Sequence, residues 1–187
     1  MLATRVWNAL TPLANLWTII ALTLLFWLFS WLFARQGAQY PALTLDGRRN
    51  GFRPDEVHGI LKQFHDKGQL CTYLEQEWKL DLIFPLIYGG FFAAAIVAIG
   101  NRVHAPHWLL WVPIVMTLAD YVENFTVMAL ISNFHPTEPS PRALTLLVTI
   151  ASRVKWGGLL LSALIVAGLC VAWGWRNVGA IGASKSP

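Results

Sequence analysis

Apolar residues run along this chain in four long stretches separated by short polar breaks. A helix needs about 20 mostly apolar residues to cross a bilayer. The pattern predicts crossing helices over residues 13–34, 79–100, 105–134 and 142–175. Tryptophans mark their ends, as interfacial anchors do. Trp17 and Trp31 flank the first, Trp78 precedes the second, Trp108 and Trp111 open the third, and Trp173 and Trp175 close the fourth. The run His135-Pro136-Thr137-Glu138-Pro139-Ser140-Pro141 breaks the third from the fourth.

The one sizeable polar region, residues 35–78, joins the first two helices. Its first part, residues 36–53, reads as irregular and contains Gly47 and Gly51. Pro54-Asp55-Glu56 then has the form of a helix start, with proline early and acids in the first turn. Val57, Ile60, Leu61 and Phe64 follow at helical spacing, and Lys67-Gly68 closes the segment. This amphipathic helix is expected to lie on a membrane surface or to cap the bundle. A second short helix is expected from Gln69, running through Leu70, Tyr73 and Leu74 into the second crossing. The fold class is therefore all-α: one polytopic membrane domain over residues 1–187, a four-transmembrane-helix bundle with an amphipathic helical cap between helices 1 and 2.

Composition supports this. Charged residues make up 13% of the 187 positions, about half the usual share of a soluble domain, and mean hydropathy is +0.50. A water-soluble enzyme with an ordinary core is excluded. None of the 29 positions between Arg5 and Arg35 is charged. The apolar part of a signal peptide is about 7–15 residues, so a retained first helix is expected. The net charge of +4 is not gathered into a basic face, since Arg48-Arg49 lies among Asp46, Asp55 and Glu56. Nucleic acid is not an expected partner. Cys71 falls in the polar connection and Cys170 deep in the last apolar run, so they are not expected to pair.

Orientation follows from the placement of Lys and Arg. Four crossings put both termini on one side, with Arg5, Arg102, Arg176 and Lys185 and no acids. The other side has more Lys and Arg, but most belong to the connection, which reads as a folded cap. We expect the termini in the cytoplasm and the chain in a bacterial inner membrane.

Asp120, Glu123 and Asn124 interrupt the middle of the third helix, on one face of it. Arg153 and Lys155 interrupt the fourth. Folding the two as an antiparallel hairpin about the proline-rich turn sets Glu123 level with Arg153, Asn124 with Ser152, and Asp120 with Lys155. A lone Asp, Lys or Arg at a helix centre costs about 2.5–3.5 kcal/mol on the insertion scale, so pairing is expected. Arg153 shares a face with Thr149, Ser152 and Trp156, and Lys155 points about 200° away from it. The expected pair is Arg153 with Glu123 or Asp120, with Lys155 turned toward another helix or water. On the second helix Tyr88 falls near the level of Asp120. Pro85 frees the carbonyl of Asp81, and Gly89-Gly90 allows close approach of a neighbouring helix. The candidate ligand-binding residues are Tyr88, Asp120, Glu123, Asn124, Arg153, Asp81 and Trp156. No catalytic residue is assigned among them.

Each feature also has a plainer reading. The charged cluster can be a structural ion-pair network, although ionisable groups inside membranes point by default to function. His58 with His65, and His104 with His107, could each supply two metal ligands, but no third ligand falls at useful spacing. No metal and no cofactor is expected. Trp27 and Trp156 lie away from helix ends; Trp156 could pack on a ligand or on Arg153. Three functions stay open: binding or modification of a lipid-like apolar molecule, a proton- or ion-coupled oligomeric carrier, or an accessory subunit of a larger membrane complex. Expected partners are accordingly membrane lipids or a lipid-like ligand, with a homo-oligomer or membrane-complex partner in the second and third cases. The layout of four crossings, a capping connection after the first and acids in the middle helices is similar to the sterol-isomerase and sigma-2-receptor-like membrane proteins. That likeness is one of architecture, and no functional residue is carried over from it.

Overall fold

The computed structural model of the protein describes residues 2–40, 44–45 and 52–183, with Pro54 and residues 178–183 described by backbone alone. Among the described residues there is helix and no strand. The elements are α1 (Leu2–Leu10), α2 (Leu16–Gly37), α3 (Pro54–Asp66), α4 (Leu70–Gln76), α5 (Phe84–Val103), α6 (Trp111–Ser132) and α7 (Arg142–Ala183). A π-helical turn, Glu77–Asp81, leads from α4 toward α5, and a 3-10 turn, His107–Leu110, leads into α6. Four helical stretches are long and apolar enough to cross a membrane: Leu16–Gly37, Leu70–Val103, His107–Ser132 and Arg142–Asn177.

The four are not equivalent. Half of the apolar window is buried in the stretches containing α5 and α6, against 11% in α7 and none in α2. Thus α5 and α6 form the centre, and α7 packs along α6 and α5. From the other side α2 packs on α5, where Phe26 and Phe29 stack on Phe84 and Phe33 meets it edge-on. Glycine makes the central contacts possible. A Cβ on Gly89 would collide with the Thr117 side chain of α6, and one on Gly158 of α7 would lie 2.7 Å from Met116 Cβ.

Two further clusters sit at opposite ends of the bundle. At one end Val57, Ile60, Leu61 and Phe64 of α3 are buried with Tyr73, Val127, Leu130, Ile131 and Val148. The expected amphipathic stripe therefore rests on the ends of α6 and α7. Glu56 accepts from the Arg53 backbone N–H (2.9 Å) at the start of α3. Gly68, at φ +67°, closes its other end, with Gln69 N–H bonded to Phe64 O at 2.8 Å. Half of the stretch read as irregular, including Gly47 and Gly51, lies outside the described residues. Where chain is described on either side of it, Leu45 N–H donates to the Tyr73 hydroxyl and Phe52 N–H to Thr149 Oγ1, at 2.8 and 3.0 Å.

The other end holds an element the hydrophobic pattern did not reveal. Helix α1 folds back under the bundle, and Trp7 is buried among Ile96, Val97, Val103, Leu110 and Leu169. Its indole N–H donates to Asn101 Oδ1 at 2.8 Å, and its ring stacks on His107 with centroids 4.7 Å apart. Nine residues of mixed polarity are too few for periodicity alone to identify.

Alanine at Gly89 should lower the melting temperature in detergent by several degrees, the overpacking costing about 1–3 kcal/mol. Alanine at Gly157, where nothing lies within 4 Å, should leave it unchanged or raise it. Equal behaviour of the two variants would contradict the helix contact at Gly89.

Candidate functional site

The break between the π turn and α5 places the first groups of the site. Pro85 lacks the N–H that would otherwise bond the carbonyl of Asp81. That carbonyl accepts from Asn124 Nδ2 at 2.6 Å, and the next one, Leu82 O, accepts from the Tyr121 hydroxyl at 2.8 Å. Side chains of α6 thus satisfy backbone groups that the break in the helix exposes. Proline here begins a helix, at the first turn of α5.

One turn further along α5, the Tyr88 hydroxyl donates to Asp120 Oδ2. The other carboxylate oxygen of Asp120 accepts from Lys155 Nζ at 3.0 Å, and Lys155 also ion-pairs with Glu123. Asp120 and Glu123 are buried, and Lys155 is 13% exposed at its side chain. Ser152, fully buried one turn before Lys155, hydrogen-bonds Glu123. The levels expected from the hairpin are therefore met, but the basic partner is not the expected one. Lys155 turns inward to both acids, and Arg153 stands on the exposed side of α7. The reason is azimuth. Ser152, Lys155 and Leu159 recur at the spacing of one helix face, and that face meets α6. Thr149, on the face expected to be shared with Arg153, bonds the backbone of Phe52.

These groups open onto a cavity of about 730 Å³ between α2, α5, α6 and α7, within the range of about 300–1,000 Å³ that small-molecule sites occupy. Its walls are largely aromatic: Phe26, Trp27 and Phe33 from α2, Phe84, Phe91 and Phe92 from α5, and Trp156 from α7. Thr23 and Ser30 of α2 and Thr44 add hydroxyls to the lining, and the larger polar groups gather at two levels. Near the α3 end are Tyr40, Gln76 and Asp81, where the Tyr40 hydroxyl donates to Gln76 Oε1 at 2.7 Å and Gln76 Nε2 to Asp81 Oδ2 at 3.3 Å. Midway along are Tyr88, Asp120 and Lys155.

Of the residues singled out from sequence, Tyr88, Asp81, Asp120 and Trp156 line this cavity. Glu123 and Asn124 lie behind its wall, one bound to Lys155 and the other to the Asp81 carbonyl. Arg153 does not line it. Sequence reasoning missed Tyr40 and Gln76. Gln76 falls in a short helix whose polar face gave no sign of its direction, and Tyr40 lies beyond the end of α2. Among the described residues, no group of three or more His, Cys, Asp or Glu is arranged to hold a metal ion.

Comparison with protein-family models, curated proteins and solved structures found no match. The chemistry of the site rests on its own geometry. A carboxylate in an apolar wall can accept a hydrogen bond from a bound hydroxyl or amine. The neighbouring ammonium and phenol fix its direction and leave it in a water-poor setting where such bonds are strong.

Lys155→Ala should be strongly destabilising, by about 3–5 kcal/mol, since it strands two buried carboxyls. Arg153→Ala should cost less than a third of that. Combining Lys155→Met with Asp120→Asn and Glu123→Gln should recover most of the loss. Thermal melting of the purified variants in detergent checks all three, and equal losses for the two single variants would refute the pairing.

Proposed function

We propose that this chain is a small integral membrane protein that binds a lipid-like amphiphile in the cleft between α2 and α7. The helices cross the bilayer on this reading, and the ligand enters sideways from the lipid. The carrying observation is the cleft itself: long, aromatic-walled, and interrupted halfway by an ionic cluster. A water-soluble ligand would not need such walls, and a purely structural ion pair would not need to line a cavity.

The surface supports the membrane setting. Leu24 on α2, Leu118 on α6, and Leu160 and Leu164 on α7 are each more than half exposed. Soluble proteins rarely expose apolar area so continuously. Exposed Trp17, Trp108, Trp111, Trp173 and Trp175 lie toward one end of the bundle, and Trp31 and Trp78 toward the other. Two aromatic girdles suit the two faces of a bilayer.

The route of entry follows from packing. Helix α2 leans on α5, whereas α7 leans on α6 and α5. Trp27 lines the cleft from α2 and is 67% exposed, while half-buried Trp156 and Leu159 line it from α7. The gap between these lips faces outward, at the depth of the apolar belt. A ligand polar group would rest on Tyr88, Asp120 and Lys155, with Glu123 and Asn124 holding those groups from behind.

Purified protein should carry a co-purifying amphiphile, identified by mass spectrometry of the extracted lipid. Thr23→Trp, which fills the cleft from α2, should lower its occupancy by about fivefold or more through steric exclusion. Wild-type protein free of bound lipid, together with proton flux in liposomes, would favour the carrier reading.

The proposed orientation has the termini in the cytoplasm of a bacterial inner membrane. Cys71 and Cys170 are both exposed. In a Cys170→Ala background, an impermeant maleimide applied to intact cells should label Cys71. Labelling only after permeabilisation would reverse the topology.

A further inference from the structure

The two polar levels of the cleft say more about its occupant. Asp81 and Tyr88 are seven positions apart along the chain, and at about 1.5 Å per helical residue the levels are separated by roughly 10 Å. The stretch between them is largely aromatic, with Phe33 and Phe84 on the walls and Ser30 of α2 as its one small polar side chain among the described residues. Beyond the inner level the cleft continues between Phe91, Phe92 and Leu159. From the α3 end inward, two strongly polar levels therefore alternate with largely aromatic stretches that carry only the small hydroxyls of Ser30 and Thr23; the Thr23 hydroxyl is already bonded to Ile19 O.

A lipid with one head group fits only half of this. With its head at Tyr40, Gln76 and Asp81, its methylene chain would be pressed against Asp120, Tyr88 and Lys155. Covering charged groups with hydrocarbon is unfavourable unless hydrogen bonds replace the water that is lost. Each oxygen of an ionised carboxylate accepts more than one hydrogen bond. Asp120 Oδ2 receives Tyr88 and Oδ1 receives Lys155, so acceptor capacity remains on the cavity wall. A hydroxyl within the ligand chain could donate to Asp120 while its oxygen accepts from the Lys155 ammonium.

We infer that the ligand is a long-chain amphiphile with a hydroxyl in its chain, roughly 10 Å below a hydrogen-bonding head. The inference rests on the lipid-binding reading and narrows it.

Three probes test it on the full-length protein in detergent, with binding measured by native mass spectrometry. They are stearyl alcohol, the same alcohol with a second hydroxyl on its tenth carbon, and the isomer with that hydroxyl on its third carbon. The tenth-carbon diol places its inner hydroxyl near the Asp120 level when extended. The third-carbon diol is equally polar but places it too high.

The tenth-carbon diol should bind about tenfold more tightly than stearyl alcohol, as one charge-assisted hydrogen bond allows. The third-carbon diol should gain less than about threefold, since its extra hydroxyl stays near the outer level and cannot reach the Asp120 carboxylate. Both Asp120→Asn and the less disruptive Tyr88→Phe should shrink the tenth-carbon advantage. If stearyl alcohol binds wild type and the tenth-carbon diol binds no better, the mid-chain hydroxyl is refuted while the lipid reading stands. If none of the three binds, the lipid reading fails and takes this inference with it.

Discussion

Two carboxyl groups buried beside one ammonium constrain nearly everything else in this molecule. As carboxylates, Asp120 and Glu123 need a counter-charge inside an apolar bundle, and Lys155 provides it from the neighbouring helix. The contact fixes the axial register of α6 against α7 and the rotation of each about its axis. It also ties in α5, because Tyr88 shares the Asp120 carboxylate. Replacing such a group by well-packed hydrophobic residues is often neutral or better for stability. On the lipid-binding reading, its position on the wall of a cavity, rather than sealed in the core, puts it in reach of a ligand.

The second constraint is the backbone break ahead of α5. Proline removes one donor, and the π turn before it leaves a further carbonyl without its usual partner. Asn124 and Tyr121 answer both from α6. Residues that a sequence reading places in a polar site thus divide into two groups. Asp120 and Tyr88 face the cavity, whereas Asn124 holds the chain that forms its floor.

Much of this was visible in the sequence because both signals involved are one-dimensional. Apolar run length locates the long helices, and counting outward from a short turn gives relative depth along a hairpin. Depth matching correctly brought together the level of Asp120 and Glu123 with that of Lys155 and Ser152, and Tyr88 with Asp120. Rotation is harder. The wheel sets Arg153 on a face with Thr149, Ser152 and Trp156 and points to it as the inward base, but Thr149 serves the backbone of Phe52. The better marker was Ser152 alone, a small buried residue one turn before Lys155. Helix α1 and the Trp7–Asn101 bond escaped notice because a nine-residue element holds too few periods to register. Tyr40 and Gln76 depend on how the end of α2 meets α4, a long-range arrangement with no local signature.

The order of the charges along the chain bears on how the protein is made. On the membrane reading, a ribosome finishes α6, with both of its acids, before it reaches position 155. For that interval the carboxyls have no ammonium to meet. Either they enter the lipid protonated, or α6 waits at the insertion machinery until α7 emerges and the hairpin partitions as a unit. The turn at residues 135–141 is short enough for the second course. Biogenesis of this small bundle would then hinge on its last helix.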